Sequence, residues 1–169
     1  FRYYLSNVFE ALDQPGEWYL DRPTGQLYYY PLPGENVAES EVIIPVMKSK
    51  MIEFAGDLEN GRFIEHLHFR GLSFRHLDGD MDRHNGSYRQ GHMYLSSAIT
   101  ARGLRSASFE RCELAHLGEY ALELADGCRG VTVRQCHIWD LGAGAIQLGV
   151  TDLGTLLKPI GTNGAATAC

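Results

Sequence analysis

Residues 105–152 read RSASFERCELAHLGEYALELADGC and then RGVTVRQCHIWDLGAGAIQLGVTD, two lines of 24 that stack without a gap. Phe109 falls on Val133, Cys112 on Cys136, Leu114 on Ile138, Leu117 on Leu141, Gly118 on Gly142, Ala121 on Ala145, Leu122 on Ile146 and Leu124 on Leu148. Self-similarity at a fixed period of this size marks a solenoid, whose units bury their apolar faces by stacking on one another. Within each unit the apolar residues alternate, as in Val131 and Val133, Cys136 and Ile138, Ile146 and Leu148, which is the two-residue rhythm of strands. The asparagine-bearing leucine-rich consensus is absent, and so is the helical periodicity of ankyrin and tetratricopeptide repeats. The remaining reading is an all-β parallel β-helix with three short strands per turn, successive turns lying about 4.8 Å apart.

Working upstream, HLHFRGLSFRHLDG sets Leu67, Phe69, Leu72, Phe74 and His76 on Val131, Val133, Cys136, Ile138 and Asp140 at a constant step of 64. The step to Ala107, Phe109, Cys112, Leu114 and His116 is 40, so this turn exceeds the period by 16 residues. The excess is placed in the polar stretch DGDMDRHNGSYRQGH, residues 78–92, with its glycine-centred turn signals. About three rungs are thus recognisable within 61–152, and the tail 153–169 does not continue the pattern. The first 60 residues are different material. EWYLD, RPTG and QLYYYPL predict a β-hairpin with Tyr28 and Tyr30 on one face, entered through a turn at Asp13 to Gly16. A short strand is expected over Glu41 to Val46, cut by Pro45, and Lys48 to Gly56 is expected to lead into the coil. The hairpin is expected to pack on the coil as a small appendage.

A chain of 169 residues with 44% hydrophobic content and 19 glycines suits one turn-rich β domain. The net charge of −6 argues against nucleic acid or an anionic membrane as partner, because a phosphate backbone needs a basic stripe. No stretch reaches the roughly 18 apolar residues of a membrane span. Cys112 and Cys136 occupy equivalent inward positions and are read as stacked buried thiols, Cys128 lies in a turn, and Cys169 is terminal; none has zinc or redox spacing. The open apolar end of so short a coil suggests a piece of a longer chain.

The string LDQPGEWYLDRPTGQLYYYPLPGE, followed by IEFAG, HLHFRGLSFRH and CHIWDLGAGAIQLG, resembles the right-handed parallel β-helix proteins of the pectate-lyase-like type, and is most similar to glycoside hydrolase family 141. The likeness covers roughly residues 7–149. It implies a hydrolase of plant or algal polysaccharide, exported by a bacterium into the periplasm or medium. Members of such families are usually several times longer than this chain.

Glycoside cleavage uses two carboxyl groups, about 5 Å apart for retention and about 6.5–9.5 Å for inversion. One rung or two rungs of the coil match these spacings, so the pair is sought along columns. The column His76, His116 and Asp140 follows the second strand of three successive rungs. Asp140 adds the neighbouring Trp139, a sugar-stacking ring, and the small-residue turn at Gly142 to Gly144. Asp140, Glu123 and His116 are the candidate catalytic residues. Trp139, His76, Gln147, Glu119 and Asp126 are the candidate substrate-binding residues, Gln147 because it stacks on Glu123. Glu110 over Arg134 and Glu113 over His137 read as cross-strand charge pairs. Asp78, Asp80 and Asp82 alternate like the opening of a calcium loop, but Arg83 and Arg89 stand where that loop needs Gly and Glu, so no cofactor and a solvated loop are expected, with calcium at the three aspartates as the lesser alternative. His84 and His92 are placed on a cleft wall or in solvent. Two alternatives stand beside hydrolysis. A polysaccharide lyase would draw on Arg102, Arg105, Arg129 and Arg134; the other possibility is a noncatalytic glycan-binding segment. No nucleophile elbow frames Ser96, Ser97, Ser106 or Ser108 for an esterase.

Overall fold

The computed structural model describes residues 7–48, 50–79 and 95–149. The described chain is all-β apart from two three-residue 3-10 turns, and no helix in it is long and apolar enough to cross a membrane. It divides into two compact units, Phe1–Val42 and Ile43–Cys169.

In the first unit, β1 (Trp18–Asp21) and β2 (Gln26–Tyr29) form the expected antiparallel hairpin, with Trp18 opposite Tyr29 and Tyr19 opposite Tyr28. Its turn closes as the Pro-Thr-Gly sequence requires. Gly25 takes the left-handed φ of 72° and donates its N–H to the Asp21 carbonyl at 2.7 Å, while the Thr24 hydroxyl bonds the Asp21 carboxylate. The Phe9 ring stands edge-on to both Tyr19 and Tyr28 at 5.2 Å.

The second unit consists of parallel sheets. Its strands are β3 (Ile52–Ala55), β4 (Ile64–Glu65), β5 (His68–Arg70), β6 (Ser73–Leu77), β7 (Ser97–Arg102), β8 (Leu104–Arg105), β9 (Ser108–Glu110), β10 (Glu113–Leu117), β11 (Tyr120–Leu124), β12 (Thr132–Arg134), β13 (His137–Leu141) and β14 (Ile146–Leu148). Among the described residues they pair in the orders β3-β7-β11-β14, β4-β8, β5-β9-β12 and β6-β10-β13. The arrangement is that of a β-helix-like fold. Phe109 pairs with Val133, Leu114 with Ile138 and Leu122 with Ile146, the step of 24. Phe69 pairs with Phe109 and Phe74 with Leu114, the step of 40.

The extra residues sit where the polar stretch begins. From Leu77 at the end of β6 to Ser97 at the start of β7 is 20 residues, whereas the equivalent step from Leu117 to Tyr120 takes 3. Residues 80–94 of that span lie outside the described residues. Two expectations fail nearby. No strand forms over Glu41 to Val46, which runs irregular and largely exposed, since Pro45 offers no N–H to a ladder. Ile52 to Ala55 does more than lead in: it is an edge strand of the four-stranded sheet, with Phe54 opposite Ala101.

The core is the stack of inward columns. Phe54, Ile99, Leu104, Phe109, Leu114, Leu117 and Leu122 are buried, and Phe69 stacks on Phe109 with centroids 4.9 Å apart and planes at 10°. Fully burying each such side chain contributes about 1.5–3 kcal/mol. Cys112 and Cys128 are buried free thiols and Cys136 a half-buried one.

Three corners between the parallel strands share a backbone device that the sequence does not advertise. Left-handed φ recurs at His76 (64°), His116 (53°) and Asp140 (49°), at Gly71 (66°), Arg111 (51°) and Gln135 (54°), and at His66 (60°), Ser106 (46°) and Gly130 (62°). Each set follows the same steps of 40 and 24. A non-glycine residue in this region costs about 1–2 kcal/mol, which the ladder bonds on either side must offset. Such bonds flank the first corner, where Gly118 donates to Leu77 at 2.9 Å and Gly142 to Leu117 at 2.7 Å.

Candidate functional site

Strict alternation along β10 would send Leu114 inward, Ala115 outward and His116 inward. The left-handed residue breaks the alternation: His116 turns outward after Ala115, and Leu117 returns to the core. The same geometry in β6 and β13 on either side puts His76 and Asp140 beside it. Arg75, Ala115 and Trp139 share one register row on the outer face just before the corner.

At this corner His116 Nδ1 lies 2.6 Å from Asp140 Oδ2, with side chains 32% and 63% exposed, so the pair is reachable from solvent. The His76 ring is stacked on His116 at 5.0 Å with planes 2° apart. Trp139, 39% exposed, stands edge-on to His116 at 4.5 Å, and the His137 ring lies beside the indole at 5.6 Å. An open cleft of about 440 Å³ runs along the corner, lined by His76, His116, Asp140, Gly118, Gly142, Ile43 and Pro45. Closely packed glycines make its floor. A Cβ on Gly118 would stand 2.5 Å from the Gly79 Cα, and one on Gly142 would stand 2.6 Å from the Gly118 carbonyl carbon.

A carboxylate bonded to one imidazole nitrogen fixes the ring's orientation and leaves the other nitrogen for a substrate hydroxyl, while the ring in turn aims the carboxylate. With an exposed indole alongside, the corner can stack a sugar ring and present a carboxylate to it.

Of the residues singled out by sequence, His76, His116, Asp140 and Trp139 come together here. Glu119 is buried one residue past Gly118, in the bend between β10 and β11. Glu123 stands on a different sheet, in register with Thr100 on one side and Gln147 on the other, as its expected stacking required. Burial pushes the Glu123 carboxyl up, and the Lys50 charge opposes that shift. Asp126 lies past the far end of β11, where its carbonyl accepts from Gly103 at 2.8 Å.

Glu113 departs from its expected pairing. His137 is straight across in register, but its ring leans on Trp139. The Glu113 carboxylate instead takes hydrogen bonds from Arg75 Nε at 2.8 Å, Ser73 Oγ at 3.1 Å and Trp139 Nε1 at 3.2 Å. Arg75, Trp139 and Ser73 together hold its carboxyl below the usual glutamate range, Arg75 most strongly. Sequence reasoning missed both Arg75 and Glu113 as parts of the site; the available signal was Ala115, too small to fill the row between Arg75 and Trp139. The Glu110 and Arg134 pair forms as expected, at 3.1 Å. Of the arginines a lyase would need, Arg134 is therefore engaged, and Arg105 lies over the Phe63 ring at 3.1 Å. Asp80, Asp82, His84 and His92 lie outside the described residues. Asp78 donates its N–H to the Met47 carbonyl at 3.0 Å, and among the described residues no three His, Cys, Asp or Glu side chains are grouped to hold a metal.

Residues 1–32 match the family model of the GH141 insertion domain. The match lies within the hairpin unit and suggests a relationship to glycoside hydrolases, hence a carbohydrate substrate in the broad sense. No curated protein and no solved structure matches the chain.

Proposed function

We propose that this chain hydrolyses a plant or algal polysaccharide outside the cytoplasm, on a scaffold wound as a right-handed parallel β-helix. The observation that carries the reading is the His116 and Asp140 pair at 2.6 Å on the edge of a cleft beside an exposed tryptophan. The match to the GH141 insertion domain points to the same class of enzyme. Asp140 is the carboxylate that acts on the anomeric carbon or on water, aimed by His116. Glu123, whose carboxyl burial pushes up, is the second candidate carboxylate and stands on the adjoining sheet. Trp139 stacks the sugar, and His76, in the lining of the same cleft, meets its hydroxyls.

The test is reducing-end release across a panel of plant and algal polysaccharides by the wild type, Asp140→Asn and Glu123→Gln. Asparagine tolerates left-handed φ, so Asp140→Asn keeps the corner while removing the charge. Turnover should fall at least about 100-fold in both variants. Undiminished turnover in the two variants would remove the site. An unsaturated product would instead establish lyase chemistry, and binding without turnover a noncatalytic role.

A further inference from the structure

The Trp139 indole is held from outside its own rung. Its Nε1 donates to Glu113 Oε1 at 3.2 Å, and the other oxygen of Glu113 is taken by Arg75 Nε at 2.8 Å and Ser73 Oγ at 3.1 Å. Arg75 and Ser73 are on β6, Glu113 on β10 and Trp139 on β13, so one carboxylate ties three successive rungs across the outer face. Ala115, fully buried beneath, sits in the row between Arg75 and Trp139 and leaves room for both. A tryptophan on an edge strand, 39% exposed, would otherwise be free to change rotamer. Here the ring is fixed edge-on to His116, the partner of Asp140.

We propose that Glu113 is a positioning residue: braced by Arg75 and Ser73, it locks the Trp139 ring as the saccharide-stacking wall beside the Asp140 corner. Its own chemistry agrees with this and not with proton donation. Hydrogen bonds from the Arg75 guanidinium, the Trp139 indole and the Ser73 hydroxyl hold its carboxyl below the ordinary glutamate range. This inference rests on the hydrolase reading for the identity of the ligand, but the orientation of the indole is measurable without it.

The chain has two tryptophans, so Trp18→Phe in the hairpin unit leaves Trp139 as the sole indole emitter. In that background Glu113→Leu and Arg75→Gln should raise acrylamide quenching of Trp139 by roughly half or more and lower its anisotropy. Glu113→Gln, whose amide oxygen still accepts from Nε1, should restore most of the wild-type signal. On a hydrolysed oligosaccharide, Glu113→Leu should raise KM at least about threefold and leave kcat within about twofold, the signature of lost ground-state binding. Unchanged quenching in both Glu113→Leu and Arg75→Gln, or a fall in kcat with KM unmoved, would overturn the proposal. A change in Trp139 emission with no polysaccharide cleaved by the wild type would support the positioning role and count against the hydrolase reading alone. Should Glu113→Leu fail to fold, Arg75→Gln and Ser73→Ala, which leave the indole's acceptor in place, carry the same fluorescence test.

Discussion

Gly118→Ala should damage this molecule far more than a methyl group's size suggests. The added Cβ would press on the Gly79 amide nitrogen, on the Gly79 Cα at 2.5 Å and on the Asp78 carbonyl carbon at 2.9 Å. All three are main-chain atoms just past the neighbouring strand β6, and the ladder bond from Gly118 N to Leu77 O at 2.9 Å keeps that segment close. No side chain can swing aside, so relief requires the two main-chain segments to part. Overpacking costs typically about 1–3 kcal/mol, and contact with fixed backbone belongs at or above the top of that range. For a chain of this length about 3 kcal/mol lowers the melting midpoint by roughly 6–12 °C. Gly71→Ala is the control, because its φ of 66° is also costly to alanine but nothing lies within 4 Å of the new Cβ. That change should cost only about 1 kcal/mol, or roughly 2–4 °C. Thermal melts followed by far-UV circular dichroism, with urea titrations alongside, measure both. A Gly118→Ala melt within about 2 °C of wild type, or one less affected than Gly71→Ala, would refute the argument from close rung contact.

Phe109→Ala, which empties the centre of the core and removes the ring stacked on Phe69, should cost about 3–5 kcal/mol by urea unfolding. Arg111→Gly relieves a left-handed arginine (φ 51°) and should raise stability by about 0.5 kcal/mol after the added freedom of the unfolded glycine is subtracted; a loss of stability would show that the arginine side chain does more than occupy the corner. Glu123 is held above its ordinary range by burial, so the folded chain keeps a proton that the unfolded chain releases. Its contribution is complete below about pH 4.3 and is lost as pH rises through the folded value; Glu123→Gln should therefore gain on the wild type in neutral urea melts, and that gain should vanish in acid.

The columns were legible because burial acts on them directly. Phe109 and Val133, or Leu114 and Ile138, occupy the same interior position one turn apart, and only apolar letters suit it. The edge strand β3 was harder to see, since its step to β7 is 47 residues and Ile52 and Phe54 alone are too short a pattern. The left-handed corners left only a trace. Gly71 marks one of them and Gly130 another, each at one repeat only, while Arg111, Gln135 and Ser106 in the same columns carry no preference for that backbone. For the site, the vertical stacking of His76, His116 and Asp140 followed from the period alone. The diagonal reach of Glu113 to Arg75 did not, because register predicts the residue straight across and long side chains choose among several neighbours.

The left-handed corner restricts what selection or a designer can place around the cleft. At positions 76, 116 and 140 the main chain rejects valine, isoleucine and threonine, whose branching at Cβ clashes in that conformation, whatever their merit as ligands. Histidine, aspartate, asparagine and glycine enter cheaply, and three of these four are polar groups suited to chemistry. Saturation libraries at the three positions should be depleted of valine, isoleucine and threonine even when screened only for folding, so the turn that shapes the scaffold also narrows, in advance of any substrate, the reagents available to it.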